Sequence, residues 1–233
     1  AEVLVLYSLV GFILPLTCRL KDKWVFLLAC VLLIQPLPLY YVIRACLDPS
    51  FITPAIPTRS FWDATFAVQS HGSFLETVRV NLWEGQIASL AWAWDHGRVF
   101  QTAALFLLGM LIGRRGLFQK ENLKVWNKIL AGALIAFFPL YGLGNMLPAF
   151  IVNKSILTPL SLIITSLSNF SFMLVLVSGV IFAFYNTNMH YLLMKITPYG
   201  KMSLTNYITQ SIVGSMLYYN WGFALHNQCG ITV

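Results

Sequence analysis

Six stretches of this chain are apolar over lengths close to the ~20 residues that carry a helix across a hydrocarbon core, and this limits the fold more than any other feature. They cover approximately residues 3–17, 24–46, 98–113, 129–150, 156–185 and 202–225. A segment inside a bilayer has no water to bond its backbone, so it must satisfy its own N–H and C=O groups, as a helix does. The expected fold is therefore all-α, a polytopic membrane helix bundle. It would hold about six transmembrane helices in one membrane domain over residues 1–233, with short interfacial helices in a segment over 47–97 on the outer side. Composition agrees: 58% of residues are hydrophobic and 10% charged, where a soluble domain carries roughly a quarter charged residues.

The formal net charge is +7, yet the basic residues lie between apolar spans and not on a soluble face, so nucleic acid is excluded as the expected partner and the lipid bilayer takes its place. Arg19, Lys21, Lys23, Arg114, Arg115, Lys120, Lys124, Lys128, Lys195 and Lys201 fall in alternate connections. Arg44, Arg59, Arg79, Arg98 and Lys154 fall in the others. The richer side is expected to be cytoplasmic. The cysteines, Cys18, Cys30, Cys46 and Cys229, include no Cys-x-x-Cys pair and no neighbouring histidine at ligand spacing, so neither a metal site nor a disulfide framework is expected.

Residues 47–97 open with Asp48-Pro49, Pro54 and Pro57, which break helices, and Ser60-x-x-Asp63 and Ser73-x-x-Glu76 then have the spacing of capping boxes. Two short amphipathic helices are expected there, with Trp62, Trp83, Trp92 and Trp94 at headgroup level. Pro36-x-Pro38 should kink the second span and free carbonyls near Leu32 and Ile34. In the third span Arg98, Gln101, Thr102, Gly109 and Gly113 share a face. Gly109-x-x-x-Gly113 predicts close approach of another helix, and Arg98 begins the span at its outer end.

The last span carries amides and hydroxyls where lipid would penalise them. At about 100° per residue, Ser203, Asn206, Tyr207, Gln210, Ser211, Gly214 and Tyr218 share one arc, and Leu204, Ile208, Ile212 and Met216 face the other way. Asn206, Tyr207, Gln210 and Ser211, with Arg98 and Gln101, are the candidate substrate-binding residues. Bonding across helices to neighbouring backbone is the alternative for the amides.

The run Gly200-Lys201-Met202-Ser203-Leu204-Thr205-Asn206-Tyr207, with Gln210-Ser211, resembles the signature of the YeiB-like family of bacterial multipass inner-membrane proteins, a domain of unknown function. Arg98-Val99-Phe100-Gln101 leading to Gly109-Met110-Leu111-Ile112-Gly113-Arg114 resembles that family's arginine-to-arginine helix. Glu2 to Tyr7 and Gly72-Ser73-Phe74 with Arg79 are weaker matches. The resemblance implies a bacterial inner-membrane location and a distant similarity to transmembrane acyltransferases, which move an acyl group from a cytoplasmic donor to a sugar or lipid acceptor. Arg114 and Arg115 would then meet the phosphates of an acyl-coenzyme A donor, and the substrate would be a small molecule or a lipid-linked one. His71, His96, His190 and His226 all lie outside span interiors, so a catalytic base is expected elsewhere. The family's Asp/Arg-Gly amino-terminal region and Gly-Pro-x-Glu-Trp tail do not occur between Ala1 and Val233, so an internal fragment is expected. A transporter or facilitator for a small polar solute is the alternative, weakened by the lack of a buried acid in the spans.

Overall fold

Left-handed backbone at Gln35, Gly97 and Gly116 marks three of the places where helices of this chain start or stop. In the computed structural model the described residues are 3–48, 50–54 and 58–225; the expectations at Glu2, Pro49, Pro57, His226 and Cys229 lie outside them. The helices are α1 (Val3–Gly11), α2 (Ile13–Thr17), α3 (Asp22–Leu33), α4 (Pro36–Leu47), α5 (Thr58–His71), α6 (Phe74–Leu82), α7 (Glu84–Asp95), α8 (Arg98–Arg114), α9 (Leu123–Phe150), α10 (Lys154–Tyr185), α11 (Thr187–Lys201) and α12 (Ser203–Tyr218). A 3₁₀ turn at Lys120–Asn122 leads into α9, and no strand occurs among the described residues.

The all-α expectation holds, but the count of six spans does not. Among the described residues two helices are long and apolar enough to cross a bilayer: Lys120–Phe150, which includes the 3₁₀ turn, and Lys154–Tyr185. The number rises to four if two bent pairs, Asp22–Leu33 with Pro36–Leu47 and Phe74–Asp95 with Arg98–Arg114, each count as one span. The first expected span is a shorter apolar helix, Leu4–Thr17. The last is cut to 16 residues, because the chain leaves the helix at Tyr219 and turns through Trp221 and Gly222.

The chain divides into two compact units. One comprises Leu6–Ala55 and Ala93–Thr187. In it α9 packs along α10, α4 against α10, and α2 and α3 against α8. Val25 and Ala29 of α3 meet Leu107 and Leu111 of α8 in a buried cluster. In lipid such a contact gains from close packing and not from expelled water, so small residues matter there. Ala29 and Ala104, both fully buried, supply that closeness. Gly109 and Gly113 do not: a Cβ built on either has nothing within 4 Å among the described residues. The expectation of a helix packed on these glycines is thus corrected, because α8 turns its alanine face inward.

Four connections fix this unit's ends. Arg114 and Arg115 both pair with Asp22, at 3.3 and 3.0 Å, joining two of the basic connections expected on one side. Gly116 takes φ +57, a conformation open to glycine, and lets the chain reverse so that the buried Trp126 donates its Nε1–H to the Leu117 carbonyl at 2.7 Å. Tyr185 donates to the Phe118 carbonyl at 2.6 Å. Elsewhere in the unit Thr53 donates to the Ser155 carbonyl at 3.2 Å, and only residues 151–153 separate α9 from α10.

The other unit comprises Ala1–Val5, Ile56–Trp92 and Asn188–Val233. Ser73 caps α6 with the expected box: its hydroxyl accepts from the Glu76 amide while Glu76 accepts from the Ser73 amide. The box expected at Ser60 is absent because α5 has already begun at Thr58. Beyond α12, the Asn220 amide donates to the Gln69 carbonyl at 3.1 Å and the Trp221 ring meets Phe74 edge-on with centroids 5.0 Å apart.

The two helix breaks of the first unit meet at one buried residue. Gln35 is 0% exposed and left-handed at φ 61; the helix before it ends at Leu33 and restarts at Pro36 after a 51° bend, which is the expected kink. Its Nε2 donates to the Gly97 carbonyl and to Ser166 Oγ, both at 3.0 Å. Gly97 has φ +63, and a Cβ there would strike the Gln35 amide and come within 2.8 Å of Leu162. Gly97→Ala should therefore cost about 2–4 kcal/mol, combining left-handed strain with overpacking. A clearly lower unfolding temperature in detergent, with Gly109→Ala near wild type as control, would show it.

Candidate functional site

The expected polar arc of α12 borders a cleft of ≈ 370 Å³ in the second unit. Tyr207, Gln210, Ser211, Gly214, Ser215, Tyr218 and Tyr219 line one side, and Asn81 of α6 and Gln86 of α7 complete it. Tyr207, Gln210, Ser211, Gly214 and Tyr218 recur at steps of three or four, the spacing of one helix face. The opposite face is apolar and open: Leu204, Ile208, Ile212 and Met216 are 58%, 48%, 56% and 47% exposed.

The lining is neutral. Among the described residues it offers amides, hydroxyls and the faces of three tyrosines, with no carboxylate, lysine, arginine or histidine. The Asn81 Oδ1 and Gln86 Oε1 atoms are buried and accept no hydrogen bond in the structure. An acceptor shielded from water without a donor is costly, and an amide can turn end for end in place, so each can offer a ligand either an oxygen or an NH₂ group. Sequence reading did not single out Asn81, Gln86 or Tyr219; the signal for the first two was a pair of amides among Leu82, Trp83 and Ile87.

Asn206 is not among the lining residues. Its Nδ2 donates to the Tyr199 carbonyl at 3.3 Å, across the corner at Met202 between α11 and α12, which is the backbone-bonding alternative for this amide.

Arg98 and Gln101 belong to the other unit, beside Gln35. The Arg98 Nη1 donates to Gln101 Oε1 at 3.3 Å, and Gln101 Nε2 to the Ser166 carbonyl at 3.4 Å. Ser166 lies about three turns into α10, so Arg98 starts its helix beside a point partway along α10. Gln101 is 7% exposed and Ser166 6%, and the Gln35 Oε1 is buried without a donor. Neither Gln35 nor Ser166 was singled out from sequence, although a lone amide directly before Pro36 in an apolar run was the available signal.

Arg114 and Arg115 are held by Asp22, and Arg114 also donates to the Leu20 and Cys18 carbonyls. Among the described residues no cluster of three or more histidines, cysteines or acids is arranged to hold a metal ion. Outside the helices, the hydroxyl and amide of Ser50 hold the exposed Asp48 carboxyl below its usual range.

Residues 112–233 match the model of a protein family described as "Protein of unknown function (DUF418)", the domain of the YeiB-like proteins. That stretch is more than half of the chain. The chain belongs to the DUF418 family. The matched residues include the α12 side of the cleft and the Arg114–Arg115 pair, whereas Asn81, Gln86, Arg98 and Gln101 precede them. No curated protein and no solved structure matches the chain.

Gly214 offers a direct probe of the cleft, because a Cβ built there meets nothing within 4 Å among the described residues. Gly214→Ala should stabilise α12 by about 0.5–1 kcal/mol through helix propensity, whereas Gly214→Leu should fold and fill the cleft. Detergent melting curves check the first expectation. A labelled Cys at Ser211 that becomes less reactive in the Leu variant checks the second.

Proposed function

We propose that this DUF418 protein is an integral membrane protein that binds a small neutral, hydroxyl-bearing molecule in the α12 cleft, as the acceptor-binding part of an acyltransferase. The observation that carries the proposal is the lining: neutral donors and acceptors alternate with aromatic faces, and none of the described lining residues carries a fixed charge. Hydroxyls suit amide partners, and the C–H faces of a sugar suit tyrosine rings. The volume, ≈ 370 Å³, falls within the range of small-molecule sites. Membrane embedding is supported by α9 and α10, whose apolar side chains include Ile135 at 74% and Val180 at 59% exposure.

The acyl-transfer part rests on the family resemblance and on the basic residues near Arg114 and Arg115, whose guanidinium groups suit donor phosphates. Binding a donor there would mean competing with Asp22. A bacterial inner-membrane location belongs to the same reading. One observation favours the alternative, a facilitator for a polar solute: among the described residues the cleft lining offers no histidine or carboxylate to deprotonate an acceptor.

The test uses the protein in lipid nanodiscs and in vesicles. Calorimetry with neutral glycosides should show saturable binding, and Gln210→Leu should weaken it about tenfold, the worth of one well-placed hydrogen bond at ~1.4 kcal/mol. Transfer of label from acetyl-coenzyme A to the bound glycoside would support the enzyme. Binding with glycoside flux into vesicles and no transfer would establish the facilitator instead. No glycoside binding by the folded protein would overturn the cleft as a sugar site.

A further inference from the structure

Helix α3 covers one of its faces inside the larger unit and leaves another open. At about 100° per residue Val25, Ala29 and Leu33 fall within one arc about 80° wide, and all three are buried; Val25 and Ala29 meet α8 there. Asp22 belongs to the same arc and pairs with Arg114 and Arg115 at the end of α8. Lys23, Trp24, Leu27, Val31 and Ile34 fall within an arc about 100° wide on the other side. Its apolar members are exposed: Trp24 at 53%, Leu27 at 51%, Val31 at 47% and Ile34 at 45%. Lys23 is the one charged residue of that arc and stands at its start, with its ammonium 5.5 Å from the Trp24 ring centroid. Phe26, Leu28, Cys30 and Leu32 lie between the two arcs and add no charge.

From Trp24 to Ile34 the helix rises about 15 Å, half of a hydrocarbon core of about 30 Å. The stripe is thus as deep as a single leaflet, with Trp24 at headgroup level and the bend at Gln35 near the midplane. Its headgroup end is strongly basic. Arg114 donates to the Cys18 and Leu20 carbonyls and so draws the turn that carries Arg19, Lys21 and Lys23 against the end of α8. Asp22 is the one acid in residues 18–24 and 113–120, and two arginines share it. Arg115 reaches it through Nε alone; its side chain is 60% exposed, and its two Nη groups make no hydrogen bond among the described residues. A guanidinium end and an ammonium are left over at the top of an apolar stripe.

We propose that this corner holds one anionic phospholipid, its phosphate between Lys23 and the Arg115 Nη groups and an acyl chain along Trp24, Leu27, Val31 and Ile34. The guanidinium end offers paired N–H donors to phosphate oxygens, and the lysine stem lies along the stripe while its ammonium reaches the headgroup. A zwitterionic lipid would bring its own cation against these two charges and lose part of the attraction, whereas phosphatidylglycerol brings none. A soluble phosphate would leave the stripe uncovered, so the apolar part of the ligand belongs to the fit. This inference rests on the membrane embedding proposed above. It competes with an acyl-donor phosphate for Arg115 and is independent of what the cleft binds.

Native mass spectrometry of the full chain in detergent, with phosphatidylglycerol and phosphatidylcholine added in equal amounts, tests the headgroup end. Phosphatidylglycerol should be retained in preference. Lys23→Gln leaves the Asp22 pairs intact and should lower that retention about fivefold, the worth of one cation beside an anionic headgroup. Lys154→Gln, beyond the far end of α9, should leave it unchanged. Cross-linking in vesicles of the same two lipids, on a cysteine-free full chain, tests the stripe. A benzophenone on Leu27→Cys should capture phosphatidylglycerol several-fold over phosphatidylcholine, and one on Ile135→Cys of α9 should capture both alike. If position 135 captures lipid while position 27 shows no preference, the site is wrong and embedding stands. If neither position captures lipid, embedding and the site fail together. Equal retention of the two lipids in detergent would overturn the anionic part, and displacement of phosphatidylglycerol by equimolar glycerol phosphate would overturn the lipid in favour of a phosphate site.

Discussion

A helix broken inside an apolar medium leaves peptide groups that something must bond, and in the larger unit Gln35 meets that requirement for two breaks at once. Its own left-handed backbone makes the first break, and its side chain bonds the carbonyl of Gly97, whose left-handed backbone makes the second. The same NH₂ group reaches Ser166 on α10, so three stretches far apart in sequence are joined by one amide. Gln101 repeats the device a turn further along α8, bonding the Ser166 carbonyl while accepting from Arg98. Such directional bonds, with the buried cluster of Val25, Ala29, Leu107 and Leu111, supply the specificity of packing.

The cleft of the other unit uses the same kinds of side chain to a different end. Around Gln35 the amide is closed off and largely matched, whereas at Asn81 and Gln86 amide oxygens without donors border a space large enough for a ligand. Polar groups at the first place hold helices together; at the second they leave bonding capacity to be used. The family match covers the α12 side of that space and carries no assigned activity, so the chemistry of the lining is what bears on function.

Much of this was legible from spacing. The 3.6-residue period assigned Tyr207, Gln210, Ser211, Gly214 and Tyr218 to one face of α12, the capping spacing located the start of α6 at Ser73, and Pro36 marked the break in the second apolar run. Other features depend on partners distant in sequence. Periodicity grouped Gly109 and Gly113 with Gln101, but which side of α8 would be covered depended on α3, and Leu107 and Leu111 met it instead. Hydropathy counted apolar residues without seeing that Gly97 ends one helix and that the chain turns after Tyr218, so six runs became two long helices, two bent pairs and shorter pieces. Asn206 illustrates the remaining gap: its type suited a ligand, and its position at the α11–α12 corner gave it a carbonyl.

The three-residue link between α9 and α10 also has a kinetic meaning. These two helices are the longest among the described residues, and they lie side by side with the Phe137 and Phe172 ring centroids 5.3 Å apart. Closing so short a loop loses little chain entropy, and contacts between neighbours in sequence form fast. The pair can therefore associate as a hairpin soon after its second helix is made, before α12 exists. The bonds of Gln35 and Gln101 to Ser166 must wait for that hairpin, because Ser166 is on it. Assembly thus runs from a self-sufficient hairpin toward a polar junction that earlier-made helices can complete only afterwards.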